Sequence, residues 1–143
     1  MKLLLTFLLL LLTTHSMAQK KNINPRPVGY SDAVTVSGGQ TTYVSGQVPV
    51  NEKGEPVGIG DLKAQTIQVF ENLKKVLAQS GATLEDVVKV NIHIVNCKPE
   101  DVATFRAVRK TYFVKDPPAS TLVGVTSLVD PDFLIEIEVV AVK

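Results

Sequence analysis

The closing stretch Phe133-Leu134-Ile135-Glu136-Ile137-Glu138-Val139-Val140-Ala141-Val142 decides the fold. Phe133, Ile135, Ile137, Val139 and Ala141 make one unbroken apolar face, the period-two signature of a strand with one side in a core. The other face sets Glu136 and Glu138 among Leu134, Val140 and Val142. Aliphatic residues on that second face predict a surface covered by a partner subunit. A carboxylate drawn out of water there suits general acid–base work, which makes Glu136 a candidate catalytic residue.

Working backwards, Thr121, Val123, Val125 and Ser127 alternate with Leu122, Gly124, Thr126 and Leu128. A turn at Asp130-Pro131-Asp132 would join this strand to the last one as a hairpin. Pro99 opens a helix with Val102, Phe105, Val108 and Tyr112 on its inner face, and Pro117-Pro118 ends it. Upstream, Val88, Val90, Ile92 and Ile94 share one strand face, while Lys89, Asn91 and His93 share the other. A longer helix follows the cap Asp61, with Leu62, Val69, Phe70, Leu73, Val76 and Leu77 on one stripe and Gly81 as its stop. Before it lies a loop rich in glycine and proline. Earlier still, Val34 and Val36 alternate around Thr35, and Ser37-Gly38-Gly39-Gln40 leads into Thr41 to Ser45, a hairpin signal. The order predicts an α+β domain, ββαβαββ, with a mixed sheet and both helices on one face. The domain is expected over residues 28–143, after a linker at 19–27 that contains Pro25 and Pro27.

The N-terminus has a different character. Lys2, an apolar run from Leu3 to Leu12 and the small-x-small triplet Ser16-Met17-Ala18 make a secretory signal peptide over residues 1–18. The run falls short of the roughly 20 apolar residues that span a bilayer. Cleavage after Ala18 would leave a secreted or periplasmic protein with no membrane association.

The chain of 143 residues has a formal net charge of +1, which disappears with Lys2 when the leader is removed. Such a balance lacks the basic footprint of a general nucleic-acid binder. One cysteine excludes an internal disulfide and a thiolate zinc site, and Cys97 reads as a small buried hydrophobe. Two histidines make no metal-binding pattern, and nothing in the composition asks for a cofactor.

Four segments together carry a resemblance: Gly29-Tyr30-Ser31, Val44-Ser45-Gly46-Gln47-Val48-Pro49-Val50, Pro118-Ala119-Ser120 and Ile135-Glu136-Ile137-Glu138. The chain resembles the RidA/YjgF family, also known as the L-PSP endoribonuclease family, collinearly from Tyr30 to Lys143. The resemblance implies a chorismate-mutase-like α+β fold, assembled as a homotrimer with small-molecule clefts between subunits. It also implies hydrolysis of reactive enamine and imine intermediates to keto acids and ammonia. In that scheme Glu136 places or activates water, and Tyr30, Ser45 and Gly46 line the cleft.

One position departs from the family pattern. The family's deaminases carry an arginine in a P-A-R motif that clamps the substrate carboxylate, and this chain reads Pro118-Ala119-Ser120. A serine hydroxyl supplies neither the charge nor the bidentate fork of a guanidinium. Arg106, on the helix segment that faces the cleft in the family, is the candidate substitute. If the last two strands formed one hairpin, Ser120 and Glu136 would be offset by about six residues, roughly 20 Å. Both could then serve one site only across a subunit boundary. The expected function is therefore an exported trimeric protein binding a small metabolite, with imine deamination as its possible chemistry. An active deaminase and a non-catalytic protective protein are the alternatives. The nuclease label would need RNA contacts that Lys74-Lys75 hardly provides, and His93 reads as a packing or surface residue.

Overall fold

The computed structural model describes residues 18–143; the predicted leader, apart from Ala18, lies outside the described residues. The chain runs β1 (Gln19–Arg26), β2 (Tyr30–Ser37), β3 (Thr41–Gln47), α1 (Leu62–Gln79), β4 (Val87–Val95), α2 (Pro99–Tyr112), β5 (Ala119–Val125) and β6 (Ile135–Val142), with a short 3-10 turn at Leu84–Asp86. The six strands form one mixed sheet in the order β1-β2-β5-β4-β6-β3.

The helices form where the residue pattern and caps place them. Asp61 Oδ1 accepts the Ala64 N–H at 3.0 Å, satisfying a donor that the first turn of α1 leaves free. Gly81, at φ +74°, turns the chain out of that helix. In α2, Pro99 occupies the first turn, and Asp101 accepts the Lys98 N–H at 2.8 Å. Acidic Glu100 and Asp101 begin this helix and basic Arg109 and Lys110 end it, as its dipole favours.

Both helices pack on one face of the sheet. Val69, Phe70, Leu73 and Leu77 of α1 and Phe105 of α2 are fully buried against Val90, Ile92, Ile135, Ile137 and Ala141. Each such side chain withdrawn from water contributes about 1.5–3 kcal/mol. Phe70 links the helices, stacking on Tyr112 at 4.4 Å and meeting Phe113 edge-on at 5.7 Å. The closing strand behaves as its alternation requires, with Phe133, Ile135, Ile137, Val139 and Ala141 all buried.

Four expectations are corrected. Residues 19–26, read as part of a linker, form strand β1 and pair antiparallel with β2, so the order is βββαβαββ. Pro25 is tolerated because an edge strand has no ladder bond to lose on its open side. The segments around Gly38-Gly39 are not a hairpin: β2 pairs with β1, whereas β3 pairs with β6 at the far edge. β2 meets β5 only at Ser31↔Ala119, while Lys20 bonds the carbonyls of Glu85 and Val87 and Gln40 N–H bonds Lys143 O. The β1–β2 ribbon therefore crosses the end of the sheet where β4 starts and β6 finishes, and the glycine turn delivers the chain to the opposite edge.

β5 and β6 are not a hairpin either. α2 returns the chain so that β5 lies parallel to β4, the usual result of a helical crossover, and β6 flanks β4 on its other side. Finally, a bulge between Val87 and Lys89 shifts the start of β4. Val87 enters the core, and Val88 is left half-buried.

Candidate functional site

Glu136 stands on the face of the sheet opposite the helices. Its partner across the ladder is His93, and the next pair along is Asn91↔Glu138. The two glutamates differ in a way that the alternating pattern does not reveal. Asn91 Nδ2 donates to Glu138 Oε1 at 2.7 Å, whereas Glu136 has no hydrogen-bond partner among the described residues. The Glu136 carboxylate lies over Gly46: a Cβ on that residue would stand 1.8 Å from Oε1. Gly46 sits within an irregularity where the β3–β6 register shifts between Val44 and Gln47, so the bulge opens the backbone directly beneath the carboxylate. Ser45 is exposed beside it. Ser45, Gly46 and Glu136 thus form one half-site.

Next to it, Tyr43, Ser45, Lys89, Asn91 and Glu138 line a shallow cavity of about 280 Å³. Burial holds the Lys89 ammonium below its ordinary pKa, with Glu138 opposing the shift. This face also exposes apolar surface, with Tyr43 80% and Val123 42% accessible.

Ser120 and Tyr30 belong elsewhere. Ser120 pairs with Val90, which faces the helices, so its hydroxyl points to the side opposite Glu136. Arg109 Nη1 donates to Ser120 Oγ at 3.1 Å, and Nη2 donates to Val28 O at 2.5 Å. The guanidinium also sits 5.2 Å from the centre of the Phe105 ring, which gives it a cation–π contact. The Gly29 backbone lies against the same guanidinium: a Cβ there would be 3.5 Å from Nη2 and 3.6 Å from Nε. Burial pushes the Arg109 pKa down to about 10, Arg106 adds to that effect, and Tyr30 acts in the opposite sense. Ser120 and Arg109, with Tyr30 near enough to act on the Arg109 charge, thus make a second candidate half-site at the start of β2 and β5.

Within one chain the two half-sites do not meet. β4 intervenes between β5 and β6, and the pairs Val90↔Ser120 and His93↔Glu136 lie three residues apart along it. That is roughly 10 Å along the strand and roughly 10 Å across two strand spacings, on opposite faces. The two positions are therefore roughly 14 Å apart and not roughly 20 Å, and the intervening strand separates them, not a hairpin offset.

Arg106, the predicted substitute for the clamp, is exposed and makes no hydrogen bond among the described residues. The arginine that reaches Ser120 is Arg109, which the sequence reading missed. Its position four residues after Phe105 puts it on the buried stripe of α2, and a charged residue on such a stripe was the available signal.

Comparison with known proteins follows the same lines. The family described as Endoribonuclease L-PSP matches residues 22–143. A RutC family protein of Pyrococcus abyssi is 39% identical over 120 residues, covering 83% of this chain and 91% of that protein. A 2-iminobutanoate/2-iminopropanoate deaminase of Dermatophagoides farinae is 41% identical over 105 residues, covering 73% of this chain and 79% of its own. Among solved structures, the Rid family protein YyfB of Yersinia pestis, described as of unknown function, superposes with a TM-score of 0.81 at 42% identity. It covers 87% of this chain and 98% of its own.

Proposed function

This chain belongs to the RidA/YjgF family, and from that premise we propose that it is an exported homotrimer that binds a small carboxylate metabolite in clefts between subunits. The observation that carries this reading is the split of the candidate residues into two half-sites on opposite faces of one sheet. A second copy can bring its Glu136 half-site to the first copy's Ser120 half-site, and the exposed Tyr43 and Val123 suit a covered face. Export rests on the leader at residues 1–18, with Gln19, the first residue of β1, as the mature N-terminus.

The chemistry suited to the Glu136 half-site is hydrolysis of 2-imino acids, the activity named for the Dermatophagoides relative. In this reading Glu136 takes a proton from water as the oxygen adds to the imine carbon. Glu136 returns that proton to nitrogen, the new hydroxyl gives nitrogen its remaining proton as the C=O bond forms and the C–N bond breaks, and ammonia leaves with a keto acid as the other product. His93 is the register partner of Glu136 across the ladder, on the same face of the sheet.

The test has three readouts on the secreted protein. Sedimentation is expected to give a trimer, and N-terminal sequencing to begin at Gln19. Ammonia release from freshly generated 2-iminopropanoate should fall about a hundredfold in Glu136→Gln. A monomer removes the cleft; a trimer that binds the keto acid with no turnover is a binding protein.

A further inference from the structure

Lys89 is a cation that the fold does not explain. It stands half-buried on the open face of β4, in the cavity of about 280 Å³ that Tyr43, Ser45, Asn91, Glu138 and Val140 also line. Its Nζ donates to the Thr121 hydroxyl, and its other two donors have no partner among the described residues. No carboxylate lies within ion-pair distance of it among those residues. A lysine that serves only solubility extends its head into water, whereas this one is held back against the sheet.

The company it keeps is chemically specific. Burial favours the unprotonated amine, with Glu138 acting in the opposite sense, and a desolvated amine is a nucleophile. Glu138 lines the same cavity without neutralising the amine at contact distance. Asn91 Nδ2 fixes Glu138 Oε1 at 2.7 Å, and Oε2 carries no hydrogen bond among the described residues. One cavity thus holds an amine and a carboxylate with an oxygen free to carry protons, the pairing that imine formation uses.

We propose that Lys89 is a carbonyl-capture site: Nζ condenses with a small neutral aldehyde held in this cavity, and Glu138 carries the protons. Nζ adds its lone pair to the carbonyl carbon, so a C–N bond forms as the C=O pair moves to oxygen. Glu138 passes one proton from nitrogen to that oxygen, which gives a carbinolamine. A second proton follows the same route as the nitrogen pair forms the C=N bond, and water leaves. The Glu138 charge disfavours an anionic carbonyl compound, while Tyr43 and Val140 suit a short alkyl chain. Lys89 takes no part in the imine hydrolysis proposed above, so this site stands or falls without it.

Propanal with cyanoborohydride, which reduces the imine to a stable secondary amine, tests this on the secreted protein, read by peptide mass mapping of the lysines. Lys89 is expected to be labelled at least about fivefold faster than the exposed Lys53 and Lys63. Glu138→Gln separates charge from proton transfer. Loss of the charge alone would free more of the amine and speed labelling, whereas loss of a proton carrier should slow Lys89 at least about tenfold and leave Lys53 and Lys63 unchanged. Glyoxylate, an anionic aldehyde, should shrink the advantage of Lys89 over Lys53. Lys89 labelled no faster than Lys53, or not at all, overturns the proposal. Labelling of Lys89 that is unchanged or faster in Glu138→Gln overturns it as well, and a larger advantage with glyoxylate refutes the neutral ligand.

Discussion

Gln65 offers the sharpest test of how the fold positions Glu136. It is fully buried in α1, and both ends of its amide are used. Nε2 donates to Asp132 O at 2.6 Å, and Oε1 accepts the Leu134 N–H at 2.7 Å. These bonds fasten the loop that enters β6 just before Ile135 and Glu136. Gln65→Ala removes two hydrogen bonds worth about 1 kcal/mol each and leaves a donor and an acceptor partly buried without partners. With the cavity added, the loss should be about 3–4 kcal/mol. For a domain of this length that is a fall in Tm of roughly 10–15 °C. Urea unfolding and a thermal scan measure it directly.

Gln65→Glu keeps the shape and adds a pH signature. Only the protonated carboxyl can donate to Asp132 O, and burial also favours the neutral form, so its folded pKa lies above the unfolded value of about 4.3. The variant should approach wild-type stability below about pH 4. Its stability should then decline as pH rises through the folded pKa. A Gln65→Ala cost below 1 kcal/mol, or a Gln65→Glu variant indifferent to pH, would refute the reasoning.

Three further outcomes are expected. In Gly46→Ala the Glu136 carboxylate must move by about 1.5 Å to restore ordinary contact, so imine hydrolysis should fall about a hundredfold. Its Tm should change little if the whole Glu136 side chain beyond Cβ, whose Cγ and Cδ would also lie under 3.0 Å from the new methyl, swings to another rotamer; unchanged turnover would contradict the placement. Asn22 Nδ2 donates to Ser31 Oγ at 2.9 Å and to Pro117 O at 2.7 Å, and Asn22→Ala should lower stability by about 1–3 kcal/mol in urea titration. No effect would return β1 to the status of a linker. Tyr112 donates to Glu71 at 3.0 Å, and burial, with Glu71, pushes its pKa up to about 12. Wild type should therefore lose stability as pH rises from about 10 through 12, a loss absent from Tyr112→Phe.

How much of this was legible beforehand depended on the range of the interaction. The burial of Ile135 and Ile137, the Asp61 cap and the stripe of α1 follow from residues within a few positions of one another, and sequence alone determined them. The candidates Tyr30, Ser45, Gly46, Glu136 and Ser120 were named from local motifs and the family resemblance those motifs carry. Strand partners were not local. A glycine turn after Ser37 is compatible with a hairpin, and only the competition for neighbours in the whole sheet sent β2 to β1 and β3 to β6. The same competition placed β4 between β5 and β6, which put Ser120 and Glu136 on opposite faces. Alternation along a strand also could not tell Glu136 from Glu138, because the distinction lies in Asn91 on one neighbouring strand and Gly46 on the other. The cationic group at Ser120 was the subtlest point. Helical periodicity marks Arg109 as facing inward, but its approach to Gly29 and Ser120, which are remote in the chain, was fixed by tertiary packing.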